Sequence, residues 1–238
     1  NYKWQVVENR AELGDSHTLF MKPIDHKGFD FQPGQFTWIK TGRTPFGIGQ
    51  HPISISSKAD VEPGGVVSVT IKNLGDWSGE EVPGIQAGDE VWLDGPYGVF
   101  TMDREQAMGY VFVGGGVGIT PLYSMIQTME GRNDVRPVLL FYGANRPDDF
   151  IFREELRKIM ERMPNLQVIP VMSDPPEEWE GETGYINAEI MKKYLPEQYH
   201  RFKYLICGPK PLMDAMEEAL PALGVPPESV LTERFDMV

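Results

Sequence analysis

The stretch GYVFVGGGVGITPLYSMIQTME, residues 109–130, decides the fold. An apolar run leads into clustered glycines, and an amphipathic run follows from Thr120. A buried strand, a glycine turn and a helix in this order are typical of the nucleotide-binding unit of α/β sheets. Residues 106–129 form an uncharged stretch that is long enough, by length alone, to span a membrane. The glycines, the proline and the polar residues within this stretch argue against a span, and we expect none in this chain.

The glycines of this turn do not follow the G-x-G-x-x-G spacing. They still let the backbone approach a ligand, and free N–H groups at the helix start can bind a phosphate. We expect Thr120 to cap the helix and Pro121 to occupy its first turn. A tight turn that needs small residues only for packing remains an alternative. The candidate residues are Gly114, Gly115, Gly116 and Gly118.

Towards the C-terminus, strand and helix patterns alternate. Such alternation predicts a parallel, doubly wound sheet with helices on both faces. The further strands are expected in RPVLLFYGA (136–144), NLQVIPVMS (165–173) and KYLICGP (203–209), and the further helices in 149–163, 186–195 and 211–223.

Towards the N-terminus, short strands are separated by turn residues, which predicts an antiparallel β-barrel. We therefore expect two domains, a barrel over 1–103 and an α/β domain over 104–238. The strands of the barrel are expected in TLFMKPI (18–24), QFTWIKT (35–41), PISISS (52–57), VVSVTIK (66–72) and EVWLDG (90–95).

Composition excludes several classes of function. The 238 residues carry a formal charge of −13, which disfavours binding to nucleic acid or to anionic lipid. The single cysteine, Cys207, excludes an internal disulfide framework and a cysteine-built zinc or iron–sulfur site within this sequence. The four histidines show no metal-ligand spacing, so we expect no metal site. The charged start, NYKWQVVENR, does not resemble a signal peptide.

The motif HPISISS, residues 51–57, is a candidate ligand-binding strand. Pro52 forces His51 into an extended conformation, so that Ser54 and Ser56 share one face of the strand. This face could bind a flavin through Ser54 and its phosphates through His51. An edge strand with serines that face solvent is the alternative.

Two further motifs are candidate sites. Within IKNLGDWSG (71–79), the segment GDWS can form an anion-binding nest closed by the Ser78 hydroxyl. CGP (207–209) follows the fourth parallel strand, where ligands of open α/β sheets bind. Ordinary turn chemistry and a buried cysteine are the respective alternatives.

The order of these motifs resembles the ferredoxin–NADP reductase superfamily over essentially the whole chain. Histidine followed by proline, where the superfamily commonly has arginine, resembles its ferric reductase and NADPH oxidase branch. The phrases QHPISISS, DGPYGVF, GGGVGITPL and ERFDMV are similar to the reductase half of bacterial ferric reductase-like membrane proteins. The motifs, in chain order, are HPxS (51–54), G-x-x-S (75–78), GPYG (95–98), GGGxGxTP (114–121), CGP (207–209) and ERF (233–235).

The resemblance implies an FAD-dependent NAD(P)H oxidoreductase, in which a hydride passes from the nicotinamide to the flavin and single electrons pass on. The implied flavin ligands are His51, Pro52, Ile53, Ser54, Ile71, Lys72, Gly75 and Ser78. The implied nucleotide ligands are Gly115, Gly116, Gly118, Thr120, Pro121, Gly208 and Pro209. The residues expected nearest the chemistry are Ser54, Cys207, Glu233 and Phe235.

Two departures from the family pattern affect the flavin. Ile53 replaces the aromatic residue that often stacks on the flavin, which predicts weak flavin retention. His51 replaces a permanent cation by a group whose pKa is about 6.5. We therefore expect flavin affinity to fall as the pH rises through neutrality.

The choice of nucleotide depends on the loop YGANRPDDF, residues 142–150. Arg146 could pair with a 2′-phosphate, whereas Asp148 or Asp149 could accept a hydrogen bond from a free ribose hydroxyl. The family branch favours NADPH slightly over NADH.

The expected electron acceptor is a haem-containing membrane domain or a separate electron-accepting protein. The family implies a cytoplasmic location, at the cytoplasmic face of the inner membrane if a membrane domain precedes this chain. A free-standing reductase of a ferredoxin or an oxygenase is the alternative enzyme. A flavin-binding interaction domain without turnover is the alternative from another class.

Overall fold

The first half of the chain forms an antiparallel barrel. The computed structural model describes residues 2–42, 49–104 and 106–234. Six strands pair in the order β4-β3-β6-β1-β2-β5, and Ile55 bridges to Val69 of the opposite edge strand. This bridge brings the two edges of the sheet together. The strands are β1 (Tyr2–Glu12), β2 (Ser16–Pro23), β3 (Phe36–Thr41), β4 (His51–Ser54), β5 (Val67–Lys72) and β6 (Glu90–Tyr97).

The longest strand, β1, is absent from the strands expected from the sequence. It spans 11 residues and pairs with β2 and β6. Trp4 and Val6 alternate with polar residues, and both are fully buried beside Leu19 and Met21. The hydrophobic signal of β1 thus comes from two side chains, because the strand is buried on one face only.

The second half of the chain is a parallel sheet of six strands in the order β10-β9-β8-β7-β11-β12. Helices α1 and α2 bury one face of the sheet, and α3 and α4 bury the other. This arrangement confirms the predicted doubly wound domain. The strands are β7 (Tyr110–Gly115), β8 (Val138–Ala144), β9 (Leu166–Met172), β10 (Glu182–Thr183), β11 (Lys203–Gly208) and β12 (Val230–Arg234). The helices are α1 (Ile119–Gly131), α2 (Arg153–Arg162), α3 (Ala188–Tyr194) and α4 (Lys210–Ala222).

Two helix starts differ from expectation. Helix α2 begins at Arg153 rather than near residue 149, because Phe152 adopts a left-handed conformation with φ 63°. Thr120 does not cap α1. It lies inside the first turn, where its hydroxyl donates a hydrogen bond of 2.7 Å to the carbonyl of Val117.

Helix α1 joins the two halves. Its Ser124 hydroxyl donates to the carbonyl of Ser57 (2.6 Å), and its Gln127 amide donates to the carbonyl of Ser56 (2.7 Å). Past the helix, Arg132 binds two carboxylates of the first half, Asp60 and Asp103. The helix that starts at the glycine turn is therefore fixed to the segment that follows β4.

The boundary predicted at residue 103 lies in the connection between β6 and β7 and stays a prediction. Among the described residues, no helix is both long and apolar enough to cross a membrane. The uncharged stretch 106–129 forms β7, the glycine turn and most of α1.

Candidate active site

Two clefts meet where the barrel contacts the parallel sheet. The first, here called the barrel cleft, has a volume of about 320 Å³. The second, the sheet cleft, has a volume of about 560 Å³. The barrel cleft is lined by His51, Pro52, Ile53, Ser54, Thr70, Ile71, Lys72, Leu74, Gly75, Asp76, Trp77, Ser78, Val117 and Thr120. The sheet cleft is lined by Lys72, Gly115, Gly116, Gly143, Ala144, Asn145, Asp149, Val171, Ser173, Gly184, Tyr185, Ile186, Pro209, Pro211, Leu212 and Ala215.

Ser54 and Ser56 of the HPISISS motif are buried, so the solvent-facing alternative is wrong. The Ser56 hydroxyl lies 3.0 Å from the hydroxyls of both Ser68 and Thr70. Ser56 is therefore engaged within the barrel wall. Ser54 is 3% exposed and lines the barrel cleft. Ser54 thus remains the serine of this strand that can face a ligand.

His51 stacks on Trp77, an aromatic residue that the sequence reasoning did not single out. The two rings are parallel within 10°, with centroids 3.8 Å apart. The Trp77 indole N–H donates to the Thr41 hydroxyl over 2.8 Å, which fixes the ring. Burial lowers the pKa of His51 below its ordinary value of 6.5, although the charge of Glu81 opposes the shift. His51 is therefore protonated in mildly acidic solution, at a lower pH than the sequence predicts.

The loop after β5 forms a compact turn closed by Ser78, as the nest hypothesis requires. The Ser78 hydroxyl accepts a hydrogen bond from the Leu74 N–H (2.8 Å) and donates one to the Gly75 carbonyl (3.2 Å). No atom would lie within 4 Å of a Cβ on Gly75, so the loop leaves open space in front of this residue.

The glycine turn separates the two clefts, and its glycines differ in role. Gly115 and Gly116 line the sheet cleft, and Gly116 has a left-handed φ of 54°. Gly118 is buried. A Cβ on it would collide with the backbone carbonyl of Cys207, so this glycine lets the turn pack directly against the end of β11. Pro121 is likewise buried, inside the first turn of α1.

The CGP motif lies beside the glycine turn, with one residue reaching the sheet cleft. Pro209 lines the cleft, whereas Gly208 is packed so closely that a Cβ would meet Leu212 at 2.7 Å. Cys207 is fully buried. Burial, and then the charge of Glu233, raise the pKa of the Cys207 thiol.

Glu233 pairs in register with Cys207 across β11 and β12. Its Oε2 is buried and has no hydrogen-bond partner among the described residues. Burial raises the pKa of Glu233 to about 7. This carboxyl can therefore hold or release a proton near neutral pH. Phe235, the other residue predicted on this strand end, lies outside the described residues.

Lys72 is the residue shared by both clefts. It ends β5, and its Nζ would lie 3.9 Å from a Cβ on Gly116. Its ammonium group can thus reach an anionic group in either cleft, in a chain whose net charge is strongly negative.

The distal end of the sheet cleft is acidic and polar. Asp149, Asn145 and Ser173 line it. Arg146 does not. Its guanidinium is 71% exposed and pairs with Asp174 at 2.7 Å. The cation considered for a 2′-phosphate is therefore already engaged by a carboxylate.

The sequence pattern missed several lining residues. Trp77 lies inside the GDWS segment, where an aromatic residue between turn residues is a usable signal. Tyr185, which is 75% exposed, and Leu212 come from segments after β10 and in α4, and nothing in their local sequence marks them.

Comparison with known proteins finds a family match within the second half of the chain. Residues 112–218 match the oxidoreductase NAD-binding domain family. The chain is 30% identical over 232 residues to the reductase component of propane 2-monooxygenase from Rhodococcus jostii, covering 93% of this chain and 60% of that protein. It is 34% identical over 139 residues to NADH-cytochrome b5 reductase 1 from Debaryomyces hansenii, covering 58% of this chain and 49% of that protein. The chain thus spans about half of these relatives' length or somewhat more.

Solved structures share the fold. The flavohaem-like FAD/NAD-binding domain of nitric oxide dioxygenase from Vibrio cholerae superposes with a TM-score of 0.84 at 21% identity, covering 99% of this chain and 98% of that one. A cytochrome P450 reductase from Amycolatopsis gives a TM-score of 0.83 at 23% identity, covering 98% of this chain and 69% of that one. These likenesses confirm the predicted two-domain fold. The match of residues 112–218 to an oxidoreductase family agrees with the predicted enzyme class.

Proposed function

We propose that this chain is the FAD- and NAD(P)H-binding part of an electron-transfer reductase, with FAD in the barrel cleft and the nicotinamide nucleotide in the sheet cleft. The observation that carries this proposal is the common wall of the two clefts, formed by Lys72 and the glycine turn. Two ligands that occupied the clefts would meet at this wall. When bound, the flavin takes a hydride from the nicotinamide and releases electrons singly.

The barrel cleft suits a flavin dinucleotide. Its volume lies in the range of ligand sites, and the open space at Gly75 can receive a pyrophosphate. Backbone N–H groups of the loop supply donors, and the Ser78 hydroxyl closes the loop through its bonds to Leu74 and Gly75. Ser54 offers a hydroxyl to the ring at the buried end. The loss of ring stacking at Ile53 predicts that FAD is retained weakly.

Glu233 is the residue of this site that can move a proton. Its Oε2 is buried beside Cys207, and its raised pKa keeps the carboxyl partly protonated near neutrality. Cys207 is too buried to act as a thiolate nucleophile, and burial raises its pKa. We assign Cys207 to packing at the strand end that shapes the nicotinamide side of the cleft.

We propose that NADH is preferred over NADPH as the hydride donor. This choice differs from the slight preference for NADPH expected from the sequence. Asp149 lies in the wall of the sheet cleft, and Asp174 holds Arg146 in an ion pair outside it. A 2′-phosphate placed beside the Asp149 carboxylate is repelled, whereas a ribose hydroxyl can donate a hydrogen bond to it. The name of the yeast relative, an NADH-dependent reductase, agrees with this choice.

The proposed acceptor is a one-electron carrier protein. The names of the relatives favour an oxygenase component or a cytochrome, and the motif HP in 51–52 favours a haem-carrying membrane domain of the ferric reductase type. The second context would place this chain at the cytoplasmic face of the membrane. Reduction of a purified cytochrome, compared with reduction of ferric chelates, distinguishes a protein acceptor from free iron.

Steady-state kinetics with ferricyanide as artificial acceptor test the proposal. We expect a rate that depends on added FAD and a kcat/KM for NADH at least tenfold above that for NADPH. Asp174→Ala should narrow this ratio, because it removes one carboxylate and frees Arg146. A protein that binds no FAD, or whose rate does not depend on FAD, overturns the reductase function. A preference for NADPH overturns only the choice of donor.

A further inference from the structure

The turn between β1 and β2, residues 13–15, here called the hairpin tip, contacts the loops of both clefts. It belongs to the barrel, yet its Gly14 N–H donates a hydrogen bond of 2.7 Å to the carbonyl of Asp148 in the parallel-sheet domain. Asp148 precedes Asp149, which lines the sheet cleft. The tip is thus bound to the backbone turn that presents Asp149.

The next residue of the tip binds the loop of the barrel cleft. The Asp15 carbonyl accepts a hydrogen bond from the Asn73 N–H over 2.9 Å. The Asp15 carboxylate accepts a second one from the Asn73 side-chain amide, also over 2.9 Å. Asn73 lies between Lys72 and Leu74, which both line the barrel cleft. Two hydrogen bonds therefore fix the start of the loop that Ser78 closes.

The backbone of the tip has a conformation that few residues adopt. Gly14 and Asp15 both have left-handed φ values, 70° and 51°. A Cβ on Gly14 would lie 2.9 Å from Cγ1 of Ile151 and 3.2 Å from the carbonyl oxygen of Asp149. Glycine at 14 is therefore required for the close approach of the two domains, and aspartate at 15 tolerates its conformation better than most residues.

We propose that the hairpin tip is a positioning element shared by the two cofactor sites. Asp15 orients the loop of the barrel cleft through Asn73, and Gly14 orients the turn that carries Asp149 in the sheet cleft. The two adjacent residues thus act on different ligands. This assignment rests on the proposed function, because it takes FAD and NADH as the occupants of the two clefts.

Asp15→Ala tests the flavin side of the proposal. We expect the Kd for FAD to rise about fivefold, as the loss of one hydrogen bond predicts, with the KM for NADH unchanged. Asp15→Asn keeps an oxygen that can accept from Asn73 and should restore FAD binding. Asp25→Ala is the matched control, because Asp25 is another aspartate of the barrel with left-handed φ, at 60°. It should alter stability similarly without changing the Kd for FAD.

Gly14→Ala tests the nucleotide side. The turn at 148–149 must shift, so we expect the KM for NADH to rise about fivefold and kcat to change less than twofold. Gly64→Ala is the matched control, since Gly64 has a similar φ of 81° but open space around it. Its strain should lower the melting temperature and leave the KM unchanged.

The wild-type protein is measured first by FAD titration and by NADH-dependent reduction of ferricyanide. If it binds no FAD, the proposed function fails and the positioning role with it. If it binds FAD and oxidises NADH, the positioning role is overturned when Asp15→Ala matches Asp25→Ala in FAD affinity, when Asp15→Asn behaves as Asp15→Ala, or when Gly14→Ala matches Gly64→Ala in KM.

Discussion

The barrel cleft and the sheet cleft are built by different means. The sheet cleft includes exposed backbone at a strand end, since Gly115 and Gly116 line it where a strand passes into a helix. The barrel cleft depends on side chains that come from separate strands and loops, such as Ser54 and Trp77. A site made by backbone at a strand end follows from topology. A site made by side chains depends on contacts between residues distant in sequence.

The largest effect on stability is expected at Gly118, where the glycine turn packs against the backbone of Cys207. Gly118→Ala places a methyl group against the carbonyl of Cys207, where neither backbone can give way. We expect the free energy of unfolding to fall by about 3 kcal/mol, measured by urea denaturation. Gly84→Ala, where a Cβ meets open space, is the control and should change stability by less than about 1 kcal/mol. Equal effects of the two variants would contradict the packing role of Gly118.

The buried carboxyl of Glu233 should make stability depend on pH. Burial raises its pKa from 4.5 to about 7, so the folded state binds this proton more tightly than the unfolded state. The contribution of Glu233 to stability is therefore greatest below pH 4.5 and is lost as the pH rises towards 7, by about 2–3 kcal/mol.

Urea denaturation at pH 5 and pH 8 measures this loss. Glu233→Gln should reduce the difference between the two pH values by about that amount, because glutamine does not titrate. The exposed Glu228→Gln should retain the wild-type difference. An unchanged difference in Glu233→Gln would show that the carboxyl titrates normally.

Because the two clefts share Lys72, a change of this residue should weaken the binding of both ligands. Lys72→Met removes the ammonium group but keeps much of the side-chain volume. We expect the affinities for FAD and NADH to fall together by about tenfold, with a smaller effect at high salt, because the lost interaction is electrostatic. Calorimetric titration of each ligand measures this, with the exposed barrel residue Lys22→Met as control. If the affinity for only one of the two ligands fell, Lys72 would not contribute to both clefts, and the proposed common wall would be contradicted.

The smallest effect concerns His51. Because burial lowers its pKa below 6.5, we expect FAD affinity to be constant between pH 7 and 9 and to rise only a few-fold in more acidic solution, below pH 6.5. Flavin fluorescence during titration of the protein measures this, and His51→Gln should remove the rise. A decline centred on neutrality would instead support the pH range expected from the sequence.

The contrast between features set by local sequence and features set by distant contacts also explains which parts of the fold could be predicted from the sequence. The order of strands and helices after residue 109 follows from hydrophobic runs and glycine positions, so most of the parallel domain was predicted correctly. The first strand, β1, was missed because only Trp4 and Val6 mark its buried face. The start of α2 was placed too early, since a left-handed Phe152 has no local signal.

The candidate site shows the same limit. The motifs located Ser54, Lys72, Gly75, Gly115 and Gly116, and the structure brings these residues to the walls of two adjoining clefts. Pairings between distant residues could not be read in this way. The stack of His51 on Trp77 joins residues 26 positions apart, and the ion pair of Arg146 with Asp174 joins residues 28 positions apart. Each pairing exists only because segments that are distant in sequence meet in the folded chain, and each changes the expected chemistry.

Anaerobic titration of the FAD-loaded protein with NADH tests the central claim most directly, because it needs both clefts to be occupied and in contact. The account predicts that about one equivalent of NADH bleaches the flavin absorbance, and that Lys72→Met requires more NADH to reach the same end point. Bound FAD that keeps its absorbance in excess NADH and in excess NADPH would contradict the account, because two occupied clefts would then not bring their ligands together.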